Sequence, residues 1–435
     1  MGSRTLATVL VATLYLTLGT YAVPHLRVTL AGEEFPVMVI LAALLVPVAV
    51  LRTQECRQTS SRDQKLVLAG AALYSLASLA VLAVSEVPNL PLTAKYMVMA
   101  SFPAIAHFCY LRRSDWIRAM WMLGVTSAAV LVLGAYGFFT GALGDPIEHR
   151  FGYFGVTYMT STRNSDALYF MTLFCISFAA ARCNRSKLAR NVGAVLAICA
   201  GAAIVASFSR GAWIATGAAL CSVPLMGRSD NPKRVRRSLA TVVIILVGIF
   251  VSLVEFAPEG ETAAIAQRFQ TIWQDSSEQG NSNPARLVII SGAADVIAKS
   301  WGLGVGVGNL RFSLPAETGQ YFNHAENTYL QALAEQGLLG FLGLIILSSY
   351  TIKRLVILKR QHTTDWLTEA LLMWFVAIAV FQLFNNVLDN SWYWAVFALG
   401  VGYAGARERE SRQPRIVLLL RSAPSLSPHI VAHTR

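Results

Sequence analysis

The chain has 435 residues, of which 55% are hydrophobic and only 14% are charged. A soluble fold cannot bury that much apolar surface, so the composition excludes a soluble globular protein and predicts that a bilayer surrounds most of the chain. The net charge of +12 would suit a nucleic-acid-binding protein, but no motif for nucleic-acid binding accompanies it, and we expect no such partner.

Apolar runs long enough to cross roughly 30 Å of hydrocarbon occur about twelve times along the chain. The sequence therefore predicts an all-α polytopic membrane protein. The first run is longer than the apolar core of a secretory signal and no convincing cleavage site follows it, so we expect it to be retained. The predicted spans cover residues 5–23, 36–51, 66–84, 92–111, 117–139, 166–181, 191–207, 212–226, 238–257, 329–350, 367–384 and 392–406.

Four regions follow from these spans. Residues 1–257 hold the first nine predicted spans, and residues 258–328 form a long outer loop. Residues 329–406 hold the last three spans, and residues 407–435 form a basic tail. The long loop contains no cysteine, so no disulfide framework is expected there, and no cluster of cysteine and histidine in the sequence indicates a metal site.

Basic residues are concentrated on one side of this predicted topology. About 27 of the 36 lysines and arginines fall on that side, which predicts that it is cytoplasmic and holds both termini. The same residues would contact the anionic headgroups of membrane lipids. The other basic residues lie on the outer side, and those beside glycine or aromatic residues are candidates for binding an anion. They are Arg27, Lys95, Arg150, Arg163, Arg210, Arg268, Arg286, Lys299 and Arg311.

One of these candidates interrupts a long apolar stretch. Residues 191–226 are almost continuously apolar apart from the sequence SFSRG, and a single helix of that length would reach about 54 Å, which is too long for one crossing. The stretch predicts two spans joined by a tight outer turn with Arg210 and Gly211 at its tip. An arginine held in such a turn can bind a phosphate through two hydrogen bonds. The alternative is an arginine that reaches the outer headgroups.

The long outer loop has a helix signal of its own. Asn283 and Pro284 are typical of a helix start. Arg286 falls in the first turn beside free backbone N–H groups, where an anion would be favourable; the alternative is a solvated surface arginine. This amphipathic helix would lie on the membrane surface or against the helical bundle. Its predicted apolar face consists of Leu287, Ile290, Ala294 and Ile297.

A glycine-rich run, SWGLGVGVGNLR at residues 300–311, follows that helix. It lacks the lysine and hydroxyl residue that end a phosphate-binding nucleotide loop, and it faces the outer side, so a nucleotide site is not expected. Alternating glycines allow close backbone approach. The run therefore predicts a turn that packs on the bundle or touches a phosphate.

A polar sequence precedes the tenth predicted span. Asn323 and Glu326 have the spacing of a capping box, which predicts that His324 is the first helical residue. A helix N-terminus disfavours the charged imidazolium and keeps the ring neutral, as a general base near neutral pH requires. The alternative is a histidine that only caps the helix or contacts headgroups. A predicted polar stripe follows on the same helix face, formed by Asn327, Thr328, Gln331 and Glu335.

Three of these motifs occur in the order found in a known family. RGAW at 210–213, NPARLVIISGAADVIAKSWGLGVGVGN at 283–309 and HAENTYLQALAEQGLLG at 324–340 together resemble the O-antigen ligase and polymerase superfamily. The motif region covers roughly residues 205–345. The resemblance implies a GT-C-like fold and a metal-independent glycosyltransferase, without a cofactor, that takes a glycan from undecaprenyl diphosphate. The compact chain is more similar to lipopolysaccharide ligases than to longer, protein-glycosylating relatives.

The resemblance implies roles for individual residues. His324 matches the essential histidine of the family, and Arg210 and Arg286 match its diphosphate-binding arginines. Arg311, just after the glycine run, is a weaker match in the same role.

Three further residues are candidates for a supporting role. Asp389, in the sequence NNVLDNS, resembles an acidic position of the family. Glu326 stands where relatives often have a second polar residue such as histidine, which leaves open whether it caps the helix or shares proton transfer. Asn327 belongs to the polar stripe beside them.

The implied reaction joins two lipid-linked glycans. The arginines would bind the leaving diphosphate, while His324 would take the proton from a core-sugar hydroxyl as that oxygen attacks the anomeric carbon with inversion. The expected partners are undecaprenyl-diphosphate-linked O-antigen and lipid A-core. The expected location is the inner membrane of a Gram-negative bacterium, with the site facing the periplasm.

Three alternatives stay open at this point. An O-antigen polymerase would use the same chemistry with another acceptor. A small-solute or anion transporter would belong to a different class, and transporters often place charges at the bilayer midplane between repeated halves. Here the unusual charges gather at the outer face and no internal repeat is visible. A purely structural membrane protein is the third alternative.

Overall fold

The fold is helical apart from one short hairpin. The computed structural model describes residues 27–30, 33–36, 62–108, 113–140, 163–184, 186–207, 209–226, 240, 282–318, 324–362, 365–388 and 391–422. Its elements, in chain order, are β1 (Arg27–Leu30), β2 (Glu33–Pro36), α1 (Arg62–Val84), α2 (Leu90–Phe108), α3 (Arg113–Thr140), α4 (Arg163–Cys183), α5 (Lys187–Ala206), α6 (Arg210–Met226), α7 (Ser282–Lys299), α8 (Leu310–Thr318), α9 (Thr328–Gln361), α10 (Trp366–Phe381) and α11 (Ser391–Ser422).

The helical fold that the sequence predicts is observed, with one short hairpin beside the helices. Its two strands pair antiparallel, with Arg27 opposite Pro36 and Leu30 opposite Glu33. The first strand contains two β-branched residues in a row, which favour extended backbone. The second predicted span was placed from Pro36 onward, and the rest of that span lies outside the described residues.

Nine of the predicted spans coincide with the helices α1 to α6 and α9 to α11. Two of these helices contain apolar segments too short to qualify as spans by length, Ala167–Cys183 and Trp366–Phe381. The predicted spans 5–23 and 238–257 lie outside the described residues apart from Ala240, so the count of about twelve stays a prediction. Within the described residues, three segments are long and apolar enough to cross a membrane: Lys65–Val84, Lys187–Val205 and Thr328–Gln361.

Close helix packing surrounds an aromatic core. Helix α1 lies along α9, α4 along α5, α2 along α11, and α6 along α10. The approach of α1 to α9 requires glycine, because a Cβ on Gly343 would lie 2.7 Å from the backbone nitrogen of Tyr74 and 2.8 Å from the carbonyl oxygen of Gly70. The fully buried tryptophans are Trp116, Trp374, Trp392 and Trp394.

The predicted break within residues 191–226 is confirmed, because α5 and α6 are separate helices joined by a short turn. The Ser207 hydroxyl donates to the carbonyl of Ile204 at 2.7 Å. The Trp213 indole N–H donates to the same carbonyl at 2.9 Å. These two bonds satisfy a carbonyl that the end of α5 leaves without a helical partner, and they fix the turn that precedes Arg210.

The glycine run packs against a break in α9. Gly337 has φ 68° and ψ −170°, which is not helical. The N–H of Val305 donates to the carbonyl of Ala334 at 2.9 Å, and the N–H of Leu338 donates to the carbonyl of Gly302 at 2.8 Å. These bonds satisfy backbone groups that the break frees. Of the two predicted roles of the run, packing on the bundle is the one observed.

Helix α7 buries a different set of apolar side chains from the row that the sequence predicted, although Ile297 of that row packs beside the buried set. The buried side chains are Ile289, Ala293 and Val296, whereas Leu287 and Ile290 are exposed. The buried face packs on α8 and on the segment that begins α9, so this helix lies against the bundle. Its partners in that cluster are Leu310, Leu314, Ala325 and Ala334.

A buried ionic cluster lies at the C-terminal end of α9, around Lys359. No functional residue was predicted there from the sequence. Glu369 accepts from Nε of Arg182 at 2.5 Å and from Nη2 at 2.7 Å. Its second oxygen also lies 2.5 Å from Nζ of Lys359. Because each charge has an opposite partner, burial is compatible with ionisation, and the cluster ties α4, α9 and α10 together.

A second cluster nearby is centred on Asp365, just before α10. Its carboxylate accepts hydrogen bonds from the hydroxyls of Tyr403 and Thr368. Arg113 lies 3.4 Å and Arg407 3.6 Å from its oxygens. Burial alone would raise the pKa of Asp365, but these hydrogen bonds and charges together hold that pKa below its ordinary value.

Candidate active site

The start of α9 differs from the predicted one. Asn327 is the N-cap, with φ −151° and ψ 118°, and its side-chain oxygen accepts from the N–H groups of Tyr329 at 2.9 Å and Leu330 at 3.0 Å. The helix therefore begins at Thr328, and His324 precedes it instead of being its first residue. Because Asn327 caps the helix, Glu326 is not the capping residue.

A histidine, a glutamate and an arginine converge just before this helix. Nε2 of His324 lies 3.3 Å from Oε1 of Glu326. Nη2 of Arg286 lies 3.9 Å from the other oxygen, Oε2. The three side chains are between 27% and 39% exposed, so a bound molecule could reach them. We call these residues the Arg286–His324–Glu326 group.

Glu326 adopts a backbone conformation that is uncommon for its residue type. Its φ is 51°, in the left-handed region, which costs a non-glycine residue about 1–3 kcal/mol and persists only where surrounding contacts enforce it. The preceding residue supplies one such contact, because the N–H of the buried Ala325 donates to Oε1 of the buried Gln331 at 2.7 Å. Gln331 therefore fixes the backbone between His324 and Glu326.

The segment after α10 is hydrogen-bonded to the start of α9. The Thr328 N–H donates to the carbonyl of Gln382 at 2.9 Å. The Thr328 hydroxyl donates to the carbonyl of Asn385 at 2.7 Å and accepts from the N–H of Val387 at 3.1 Å. Asn327 adds a bond from Nδ2 to the carbonyl of Leu383 at 3.1 Å. We call residues 382–388 the bridging segment.

The bridging segment also contacts the first turn of α6, which begins at Arg210. A Cβ on Gly211 would lie 2.9 Å from Nδ2 of Asn385 and 3.0 Å from Cβ of Phe384. Asn385 is the residue whose carbonyl accepts from Thr328. The structure therefore links Arg210 to the Arg286–His324–Glu326 group through one intermediate segment.

Arg311 has a different neighbour from the other predicted arginines. It lies exposed in the first turn of α8, and its guanidinium is 4.8 Å from the centroid of the Phe312 ring. The adjacent Leu310 N–H faces Oε1 of the buried Glu335 at 3.4 Å. These contacts place Arg311 on the outside of the α7–α8 unit, so its assignment to the donor site stays a prediction.

Two predicted supporting residues have contrasting positions. Asn327 caps α9 beside the Arg286–His324–Glu326 group. Asp389 lies outside the described residues, one position after the buried Leu388 that ends the bridging segment.

Sequence reasoning missed how Thr328 and Gln331 act. Both had been assigned to the polar stripe, and both are buried on α9 as that stripe requires. Their polarity within an apolar helix was the available signal, because a buried polar side chain must find a hydrogen-bond partner. The partners lie in other segments, which a single sequence does not reveal. Among the described residues, histidine, cysteine, aspartate and glutamate form no group of three that could hold a metal ion.

Comparison with known proteins agrees with the resemblance seen in the sequence. Residues 192–345 match the family model described as O-antigen ligase. The matched stretch begins in α5 and ends within α9, and it contains both Arg210 and the whole Arg286–His324–Glu326 group. No curated protein matches the chain. By this match residues 192–345 are similar to the O-antigen ligase domain.

Proposed function

We propose that this protein is an inverting glycosyltransferase that moves O-antigen from undecaprenyl diphosphate to a sugar hydroxyl of lipid A-core. The observation that carries the proposal is the convergence of Arg286, His324 and Glu326. A base, a carboxylate that can orient it and a cation that can bind a phosphate are the groups that displacement of a diphosphate requires.

His324 is the general base in this proposal. With Nε2 facing Glu326 at 3.3 Å, Nδ1 is the nitrogen that faces the acceptor. It takes the proton of the acceptor hydroxyl while that oxygen bonds to the anomeric carbon. The Glu326 carboxylate then stabilises the imidazolium that forms and holds the ring in one orientation, as a carboxylate does in other histidine-based catalytic groups.

The arginines act on the leaving group. As the new bond forms, the bond between the anomeric carbon and the phosphate oxygen breaks, and undecaprenyl diphosphate leaves with the bonding electrons. Arg286 and Arg210 stabilise the negative charge that develops on the diphosphate. A guanidinium has five N–H donors, so Arg286 can contact Glu326 through one nitrogen and a phosphate through the others.

The proposed topology gives the two substrates access to the same face. The distribution of basic residues supports placing the Lys359 end of α9 in the cytoplasm and the His324 end in the periplasm of a Gram-negative cell. Candidate spans of sufficient length support a membrane location. Both glycolipid substrates would then meet the site from the periplasmic leaflet of the inner membrane.

Reconstitution tests the proposal. Purified protein is mixed in liposomes with undecaprenyl-diphosphate-linked glycan, rough lipopolysaccharide and EDTA, and the products are separated on a gel. We expect joined lipopolysaccharide from the wild type, none from His324→Ala, and a normal yield from the matched control His362→Ala, whose exposed histidine lies at the opposite end of α9.

Other outcomes identify the alternatives. Lengthened lipid-linked glycan without transfer to lipopolysaccharide would indicate a polymerase. Solute movement across the liposome without any joined product would indicate a transporter, and full transfer by His324→Ala would remove the proposed base.

A further inference from the structure

The turn between α7 and the glycine run carries a tryptophan whose side chain has few contacts with the rest of the protein. Trp301 is 90% exposed and Leu303 is 69% exposed. A Cβ at the intervening Gly302 would meet nothing within 4 Å. In a soluble protein, exposed large apolar side chains of this kind mark an interaction surface.

The backbone at Trp301 adds a second observation. The Gly302 N–H donates to the carbonyl of Ile297 at 2.9 Å, and the Trp301 N–H donates to the carbonyl of Ala298 at 3.1 Å. This pair of bonds is a Schellman motif, in which the residue at the position of Trp301 is left-handed and usually glycine. Trp301 has φ 53° there. A bulky residue in a strained position, with its ring outside the protein, indicates a role for the ring in binding something else.

The position of this turn along α9 indicates that it lies close to the boundary of the membrane hydrocarbon. Leu338 is hydrogen-bonded to Gly302, so the turn sits beside the break in α9. The residues of α9 from Leu338 to Ile352 carry no charge, and Lys353 is the first cation. Counting about 20 residues back from that cation, the length that crosses the hydrocarbon, reaches Leu333. Leu338 is five residues beyond Leu333, so the turn lies roughly one and a half helical turns from the hydrocarbon boundary on the His324 side.

The neighbouring surface of α9 is continuous with the turn and is also apolar. Leu338, Leu339 and Leu342 are exposed immediately after the break, on a helix that qualifies as a membrane span. The surface that α9 offers to lipid thus begins where Trp301 and Leu303 project. Tryptophan is the residue enriched at this boundary, because its ring is apolar and its N–H can reach the polar headgroups.

We propose that Trp301 and Leu303 insert into the boundary between headgroups and acyl chains of the leaflet on the His324 side, and so fix the depth of the α7–α8 unit. The unit is joined to α9 by the buried apolar contacts of α7 and α8 with Ala325 and Ala334, and by the backbone bonds of the glycine run. Its height in the membrane then sets the height of Arg286, which α7 carries. The anchor requires no glycan and stands apart from the proposed reaction.

Depth-dependent fluorescence quenching tests this anchor. The full chain is placed in phosphatidylcholine and phosphatidylglycerol liposomes whose acyl chains carry bromine near the headgroup or near the chain end. The chain has nine tryptophans, so the signal of Trp301 is the difference between wild type and Trp301→Phe. We expect blue-shifted difference emission, quenched at least twofold more by the shallow bromine than by the deep one, and insensitive to aqueous iodide.

A second difference spectrum serves as the control. Trp121, partly exposed on α3 within a predicted span, should be quenched by brominated lipid in the same samples. The variant Trp301→Gly should keep the thermal midpoint of wild type or exceed it, since glycine suits the left-handed position. Red-shifted Trp301 emission that iodide quenches and brominated lipid does not would overturn the anchor. So would iodide quenching that only added glycan or another protein removes.

Discussion

At the residue scale, the two carboxylate oxygens of Glu326 face His324 and Arg286 separately, so the proposed proton transfer and diphosphate binding meet at this side chain. Replacing it by glutamine preserves size and hydrogen bonding to the imidazole but removes the charge that would stabilise imidazolium. We expect Glu326→Gln to lower kcat by about 10²-fold or more with little change in KM for the acceptor.

The matched control for that prediction is Glu317→Gln. Glu317 is a carboxylate of the same unit that pairs with the exposed Lys299 at 2.6 Å. The Glu317→Gln variant should transfer glycan at the wild-type rate. An equal rate for wild type and Glu326→Gln would show that the carboxylate takes no part in proton transfer.

Replacing Arg210 tests whether the planar guanidinium group is needed to bind the donor diphosphate. Lysine keeps the positive charge but lacks the planar fork of the guanidinium, so we expect Arg210→Lys to fail at limiting donor. The matched control is Arg118→Lys, an exposed arginine that pairs with Asp115 on α3. Transfer rates at several donor concentrations provide the measurement, and full activity of Arg210→Lys at limiting donor would contradict the clamp.

Thr328 couples two segments at the element scale. Its hydroxyl bonds to both Asn385 and Val387, and the bridging segment in turn contacts Gly211. Thr328→Val keeps the shape of the side chain and leaves a buried carbonyl and a buried N–H without this partner. We expect a loss of about 1–3 kcal/mol in stability and a fall in transfer, because Arg210 and His324 lose their fixed relation.

Thr328→Ser is the informative comparison for this element. Serine retains the hydroxyl and should restore most of the transfer and of the thermal midpoint. If valine and serine behave alike in both assays, the hydroxyl does not hold the two segments together.

The break in α9 depends on glycine at position 337, where the helix meets the glycine run. At Gly337 a Cβ would overlap the carbonyl of Leu303, and φ is 68°. We expect Gly337→Ala to lower the stability by more than about 2 kcal/mol. Gly217→Ala is the control, because that glycine is helical with open space around it and alanine favours helix by about 0.5–1 kcal/mol. Thermal unfolding in detergent distinguishes the two variants.

Local signals in the sequence predicted some elements and misplaced others. The sequence SFSRG predicted the separation of α5 and α6 correctly, because an apolar run of that length cannot be one crossing. The start of α9 was misplaced because both Asn323 and Asn327 are good capping residues, and the choice depends on bonds from Asn327 and Thr328 to the bridging segment. Such long-range bonds are absent from local patterns.

The side chains that α7 buries against the bundle could not be chosen from the sequence, for a related reason. Apolar residues occur on two sides of that helix, so helical spacing alone selects either face. For the candidate site, the sequence and the resemblance indicated His324 and Arg286 as site residues. They did not predict that Glu326 contacts both of these side chains. The contact with Arg286 arises where α7 packs against α9, and the contact with His324 depends on the left-handed backbone of Glu326.

At the scale of the whole molecule, the ends of α9 carry different chemistry. One end holds the partly exposed Arg286–His324–Glu326 group, and the other holds buried charges with mutual partners. The buried cluster joins α4, α9 and α10 at the end of α9 opposite to the candidate site.

The neighbouring cluster around Asp365 makes the stability of the fold depend on pH in the acid range. The folded pKa of Asp365 lies below the ordinary value, so its ionised form stabilises the fold above the unfolded pKa of about 4, and that contribution disappears as pH falls through the folded pKa. The thermal midpoint of wild type should exceed that of Asp365→Asn by a constant margin above about pH 5. The margin should shrink below about pH 4, whereas a margin independent of pH would contradict a charge-based contribution.

The central claim is that Arg210, Arg286 and His324 surround the diphosphate of a lipid-linked glycan. A cryo-electron microscopy structure of the full protein with undecaprenyl diphosphate bound in a lipid nanodisc measures this arrangement directly. The account predicts phosphate oxygens within hydrogen-bonding distance of both guanidinium groups, with the His324 imidazole open to an acceptor on the adjoining side. A diphosphate bound at the Lys359 end of α9, or one that contacts neither arginine, would contradict it.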